Sequence, residues 1–447
     1  MNKKHLMLFV LAVAMGGCQY QASNWCSDAP FHNCKDLVDG PIDAATCSSN
    51  ASCTAPLGVC DVTGSKTCVE CTATDSAACV GVEPVCGADQ ACRACTAHSE
   101  CISDVCLPDG SCAAEGDVAY VNGSTGTGSA CTKAAPCKTV TAAIATPKAV
   151  IKVTGPVNDR VSIGRSVKIF AAPNAELSSA GNGTLLTTTG TATVEVYDLT
   201  IANASGVNVG YGVQVGANTT FAMTRGKITG CREAGLTAIG GTVTVTGATV
   251  SGNTGAGITA SGGTVTVTGA TLSGNTGGGL QLSGNGAYKF TNNFIVSNGS
   301  GTSAVGGIQI ANVTQAGIFE FAFNTIYNND IIPSAIAGVN CQTVGVPLAF
   351  KNNIVFANKV IAGGTQVGGS PMCQHTYSDI GPDTAGGTGN INADPLFVNV
   401  AQLNIHIQAT SPAKDAADPA ATLATDIDGD ARPQGTSRDI GADEYKP

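Results

Sequence analysis

The sequence predicts an all-β chain whose body is a right-handed parallel β-helix of coils about 22 residues long, preceded by a small disulfide-rich region. Three observations point there: a close internal repeat, short strands punctuated by glycine, and a sparsely charged composition. The stretch Gly241-Thr-Val-Thr-Val-Thr-Gly-Ala-Thr-Val-Ser-Gly-Asn-Thr-Gly-Ala-Gly-Ile recurs from Gly263 with two conservative changes and a glycine for an alanine, a shift of 22 residues. Each copy holds short alternating runs of valine, threonine and isoleucine broken by glycine and Asn-Thr-Gly turns. Such a unit cannot bury its own apolar face, but stacked copies pair strand on strand and enclose a core. Only 12% of residues are charged, and the chain has 57 glycines and one tryptophan, which suits a repetitive β architecture.

The first elements argue for export. Lys3 and Lys4 followed by the apolar run Leu6 to Ala14 read as a signal peptide, too short to span a bilayer. The run enters Ala14-Met15-Gly16-Gly17-Cys18, which resembles a bacterial lipobox, with Met15 where leucine is usual. Residues 1–17 are therefore expected to be removed and Cys18 to carry a lipid; the alternative is cleavage after Ala12-Val13-Ala14, giving a secreted protein. Residues 18–46 are poor in apolar side chains and read as a tether, with Cys26 and Cys34 able to close a small loop.

Fourteen of the twenty cysteines lie between Cys26 and Cys112, a density that belongs to an oxidising compartment. Residues 47–116 form a cysteine-rich segment in which Cys60, Cys68, Cys71, Cys79 and Cys86 are echoed by Cys86, Cys92, Cys95, Cys101 and Cys106. The C-x-x-C steps Cys68/Cys71 and Cys92/Cys95 could hold zinc, but export and the scarcity of histidine favour disulfides. Residues 117–148, with Cys131, Cys137 and a short helix from Thr139 to Ala145, are expected to cap the first coil, whose edge would otherwise be open.

Coils are expected over 149–390. The turn asparagines Asn203, Asn253, Asn275, Asn298, Asn329 and Asn358 suggest an amide ladder between coils. Cys231 takes that place 22 residues before Asn253 and is expected to be an inward thiol outside the bridges; Cys341 and Cys373 lie in neighbouring coils and are expected to pair.

A net charge of -10 without a basic run leaves nothing to neutralise a phosphate backbone, so nucleic acid is not an expected partner. Residues 241–284 contain no Asp, Glu, Lys, Arg or His. The charged residues flanking this gap, Asp198, Arg225, Lys227, Arg232 and Glu233 before it and Lys289, Glu320, Asp330 and Lys351 after it, are scattered and read mainly as solvated faces. His375 reads as a loop residue. Asp426, Asp428 and Asp430 have the alternating spacing of part of a calcium loop but lack its bidentate glutamate; the competing reading is a carboxylate and arginine network with Arg432 that closes the last coil.

The coils resemble the pectate-lyase-like parallel β-helix superfamily. Residues 391–447 carry Asp394-Pro-Leu-Phe397, Ser411-Pro-Ala-Lys-Asp415, Asp426-Ile-Asp-Gly-Asp-Ala-Arg-Pro433 and Asp439-Ile-Gly-Ala-Asp-Glu444, a series similar to the C-terminal region of the choice-of-anchor Q surface proteins. That resemblance implies a cell-surface β-helix. No sorting tail precedes Pro447, so attachment is expected through the lipid at Cys18, with Gln19 pointing to the outer membrane. The function expected is non-catalytic adhesion, display or binding of a surface glycan, without a cofactor. The alternative is a polysaccharide lyase or glycoside hydrolase whose site is built from loops at 299–306 or 362–381.

Overall fold

The computed structural model describes residues 46–204, 210–332, 335–359, 365–383 and 386–447. The signal segment, Cys18, Cys26, Cys34 and nearly all of the tether lie outside the described residues. Two compact units follow from the contacts: one holds the described residues up to Cys79 with Cys86–Cys92, the other the described residues of Val80–Val85 and Arg93–Pro447.

The first unit is stapled by Cys47–Cys60, Cys53–Cys68, Cys71–Cys86 and Cys79–Cys92, with Cα separations of 5.2–5.7 Å. In each group of four, the first cysteine pairs with the third and the second with the fourth. Cys95–Cys106 and Cys101–Cys112 repeat the pattern in the second unit. The repeat is therefore a series of four-cysteine knots, not two copies sharing Cys86. Each C-x-x-C step joins the last cysteine of one knot to the first of the next, so its two sulfurs serve different bridges.

The third knot corrects the expected boundary at residue 116. Val105, Leu107 and Ala113 pack on Val118, Tyr120 and Phe170 of the coils, and the Tyr120 hydroxyl donates to the Ser103 carbonyl at 2.9 Å. The segment expected to be a cap also supplies a strand: Val118–Asn122 pairs in parallel with Val150–Thr154. Its short helix, Val140–Ile144, starts where the Thr139 side chain accepts from the Ala142 amide, and it buries Val140 and Ala143. Cys131 and Cys137 are bonded beside it.

From there the chain winds a parallel solenoid with three faces. A typical coil contributes Leu236–Ile239 to the first face, Thr242–Thr246 to the second and Thr249–Ser251 to the third. The third face is a ten-stranded parallel sheet running from Pro156–Asn158 to Asp379–Gly381. Alternation sends Val243, Val245, Val265 and Val267 into the core and the intervening threonines outward. In later coils the same inward column becomes aromatic: Phe290, Phe321 and Phe350 stack at centroid distances of 5.4 and 4.6 Å, and His375 continues the stack at 4.8 Å. His375 is thus a core residue of the strand Cys373–Thr376, where alternation places it inward, and not a loop residue. Cys341 and Cys373 form a bridge across neighbouring coils.

Two amide ladders tie the turns. Asn253, Asn275, Asn298, Asn329 and Asn358 each donate from Nδ2 to the next side-chain oxygen at 2.8–3.0 Å, ending on Gln366. Successive rungs are 22, 23, 31 and 29 residues apart, so the coils lengthen toward the C-terminus. The ladder starts below Cys231, whose amide donates to Asn253 Oδ1 at 3.0 Å and whose side chain is buried and joins none of the eight bridges among the described residues. Asn203 is not a rung. It is exposed with φ 57°, on the left-handed turn position that Gly230, Gly252 and Gly274 hold in later coils, one residue before the ladder. Asparagine tolerates that conformation, which is why it occurs there. A second ladder, Asn293, Asn324 and Asn353, links the opposite corner and ends on Ser378.

The C-terminal segment begins against the last coil, where Ile391 bridges to Asp379, but the network around Arg432 meets Asn292 and Phe323 of earlier coils rather than closing the last one. The segment runs along the flank, where Phe397, Ile405, Ile407, Ala413, Ile440 and Ala442 pack on Phe294, Val296, Phe323 and Ile354. Its backbone is pinned to the coil corners: Thr425 O accepts from Asn292 Nδ2, Gly441 N donates to Asn352 O, and Ala442 N donates to Thr325 Oγ1.

Candidate functional site

A cleft of about 1010 Å³ in the second unit opens between the third knot and the second face. The knot contributes His98, Leu107 and Pro108; the coils contribute Phe170, Tyr197, Asp198, Thr224 and Arg225. Register explains the coil side. Phe170, Tyr197 and Thr224 are paired neighbours in successive strands and all face outward. Asp198 and Arg225 follow Tyr197 and Thr224 on the corner, both left-handed with φ 61° and 54°. The same corner position is glycine in the next two coils, Gly247 and Gly269. Left-handed backbone is strained for a residue with a Cβ, so the two charged side chains sit on corners where later coils use glycine.

Identical placement in adjacent coils brings the two together: Arg225 Nε and Nη2 reach Asp198 Oδ1 and Oδ2, both at 2.9 Å. That hydrogen-bonded carboxylate raises the Arg225 pKa further. Two residues back on the same strand, Glu195 accepts from Tyr197 Oη at 2.6 Å and Lys168 Nζ at 3.0 Å. Burial pushes the Glu195 carboxyl up, but those two donors outweigh it and leave it below its ordinary value. Burial, then the Glu195 hydrogen bond, raises the Tyr197 phenol. Phe170 stacks under Tyr197 at 4.6 Å, and His98 meets the Phe170 ring edge-on at 5.5 Å. Burial, followed by the charge of Lys152, lowers the His98 pKa, so its imidazole is neutral at pH 7. His98 Nδ1 accepts from the Cys106 amide at 3.0 Å, which fixes the ring in the wall.

Each carboxylate is engaged by a cation, Asp198 by Arg225 and Glu195 by Lys168, and Glu195 also accepts from the Tyr197 hydroxyl. Beyond Thr224 the outward row continues in register as Thr246 and Thr268 before reaching the buried Thr291, and parallel rows hold Thr242 with Thr264 and Thr244 with Thr266. At strand spacing these hydroxyls recur about every 4.8 Å along the stack.

The remaining charged candidates stay apart from this cleft. Lys289 pairs with Glu320 at 2.8 Å, Lys351 with Asp418 at 3.7 Å, and Lys359 with Asp330 at 3.6 Å. Lys227 begins a third-face strand, paired with Thr200 and Thr249, while Arg232 and Glu233 follow Cys231 in the turn. Residues 365–381 form three short strands rather than a loop, and 362–364 lie outside the described residues.

The three aspartates expected to hold calcium diverge. Asp426 accepts the amides of Asp428, Asp430 and Glu444, Asp428 turns to His406, and Asp430 to Lys446. Alternate spacing within one tight turn ties Asp426 to its own loop, which is why the set does not converge. Arg432 is fully buried, bonded to Glu444 at 3.1 Å and stacked over Phe323 at 4.8 Å. Sequence reasoning missed His98, Phe170 and Tyr197, because the knot and the coils that bring them together share no repeat.

A family model described as a right-handed β-helix region matches residues 172–315 and 211–377. Among solved structures, pectate lyase Pel9A is similar with a TM-score of 0.47 and 15% identity, over 74% of this chain and 96% of that one. No curated protein matches the chain.

Proposed function

We propose that this chain is an exported, lipid-tethered surface protein that binds an extended, hydroxyl-rich glycan along its second face without turning it over. The observation that carries this reading is the cleft at Tyr197, Asp198 and Arg225 opening onto the uncharged threonine rows of Thr246 and Thr268. Fixed anions and a fixed guanidinium orient sugar hydroxyls at one end, and the threonines offer evenly spaced hydroxyls and methyls beyond it. Attachment through the lipid at Cys18, placement on the outer membrane and kinship with the choice-of-anchor Q surface proteins complete the proposal. The cysteine knots then act as a stalk that needs no large hydrophobic core.

A lyase or hydrolase is the second reading, favoured by Arg225 and Asp198 in the cleft and by Glu195 bonded to the Tyr197 hydroxyl of its wall. The deciding experiment uses the full chain in a glycan-array screen beside assays for unsaturated products and new reducing ends. Binding without product, weakened at least tenfold by Arg225→Gly, supports the binding module; this change keeps the left-handed corner. Product formation abolished by the same change overturns it.

A further inference from the structure

We propose that His406, Asp428 and Asp443 form a binding site for one divalent transition metal ion, with zinc the cation that fits the donor set. The three residues come from separate pieces of the C-terminal segment: the strand Asn404–Ile407, the turn around Gly429 and the last residues of the chain. One ligand atom from each, the imidazole nitrogen and a carboxylate oxygen of each aspartate, lies within 4.8 Å of the others.

Three further observations separate this constellation from a chance meeting of charges. First, the ring is oriented by a second layer. Asn404 Oδ1 accepts from the His406 amide at 3.4 Å and faces Nδ1 at 2.7 Å. Asn404 Oδ1 is placed to accept a proton from Nδ1, which would leave Nε2, 2.9 Å from Asp428 Oδ2, to ligate the ion. Second, Asp443 is a carboxylate only 6% exposed, and its single hydrogen bond among the described residues is from the Ile407 amide at 2.7 Å. A nearly buried anion beside two other aspartates calls for a cation, and no lysine or arginine bonds it. Third, the turn that carries Asp428 is held by Asp426, whose oxygens accept three amides and are not available as ligands.

One imidazole and two carboxylates, completed by water, match zinc, whose ligands lie at about 2.0–2.2 Å. His406 Nε2 and Asp428 Oδ2 already stand near the separation of two ligands on a tetrahedral ion, with half-buried His406 and exposed Asp428 beside buried Asp443. Calcium, which takes six to eight oxygens, gains nothing from the imidazole. The bound ion would clip the hairpin, the turn and the chain end together over the flank of the coils.

The test uses the full chain with its disulfides intact, stripped with a chelator and then dialysed against zinc or calcium chloride. The expected result is one zinc retained per chain and a Tm raised by several degrees, with calcium leaving both unchanged. His406→Gln, at a partly exposed position, should lose the zinc and the shift while keeping the apo Tm; Asp443→Asn should do the same if it folds. Substoichiometric zinc, a shift produced by calcium, or zinc retained by His406→Gln would each overturn the assignment. None of these outcomes depends on glycan binding.

Discussion

Two stretches of the same solenoid differ in what their third-face strands show to the outside. In the central coils the strands Thr249–Ser251 and Thr271–Ser273 turn threonine and serine outward, and each inward side chain is a single Val250 or Leu272. In the later coils Phe294–Val296, Thr325–Tyr327 and Ile354–Phe356 have the same length and pairing, yet Phe294, Val296 and Ile354 face out beneath the C-terminal segment. The backbone is shared, so the outward residue alone decides whether a face meets solvent or a second layer. The uncharged central coils are then left as open surface, while the later ones are a foundation.

That contrast breaks most sharply at Arg432. Arg432→Ala leaves Glu444 buried without its partner and should cost about 3–5 kcal/mol; urea unfolding followed with limited proteolysis should show the segment after residue 391 released first. Within the coils, Asn298→Ala removes one rung from a ladder in which its side chain holds Asn275, Leu272 and Asn329. A loss of about 2–3 kcal/mol is expected from the unsatisfied neighbours, measured by the same unfolding curve.

A pH effect should come from the later coils. Burial pushes Asp379 up from 3.8 to about 7, and its Oδ2 has no hydrogen-bond partner among the described residues. Because the folded value lies above the unfolded one, the protonated fold is favoured: this contribution is complete below about pH 4 and is lost as pH rises through 7. Tm measured from pH 4 to 8 should fall, and Asp379→Asn should flatten that part of the profile. The smallest effect is expected on the open face, where Thr266→Ala should change stability by less than about 0.5 kcal/mol. A larger loss there would mean that the threonine rows support the fold rather than line its surface.

Much of this organisation is visible in residues of one type at fixed intervals. The 22-residue recurrence gave the coil, and Ser-Gly-Asn gave the first ladder from Asn253 onward. The second ladder had a signal too, the Asn-Asn pairs at 292–293 and 352–353, in which the first residue takes the left-handed turn and the second bonds inward. The same two-residue logic separates Asn203 from the rungs, a distinction that alignment by asparagine alone could not make. In the candidate site, Asp198 and Arg225 could be named from sequence but not joined, since the coil between them is 27 residues rather than 22.

The sequence by itself determined the solenoid, its alternation and its disulfide-rich beginning, because each of these follows from local periodicity and from pairing between near neighbours. Only the tertiary structure decided that the third knot packs on the coils, that the C-terminal segment lies on the flank, and that His406 meets Asp443. Those contacts join segments with no shared period, and they are fixed by which apolar faces remain uncovered once the coils have stacked.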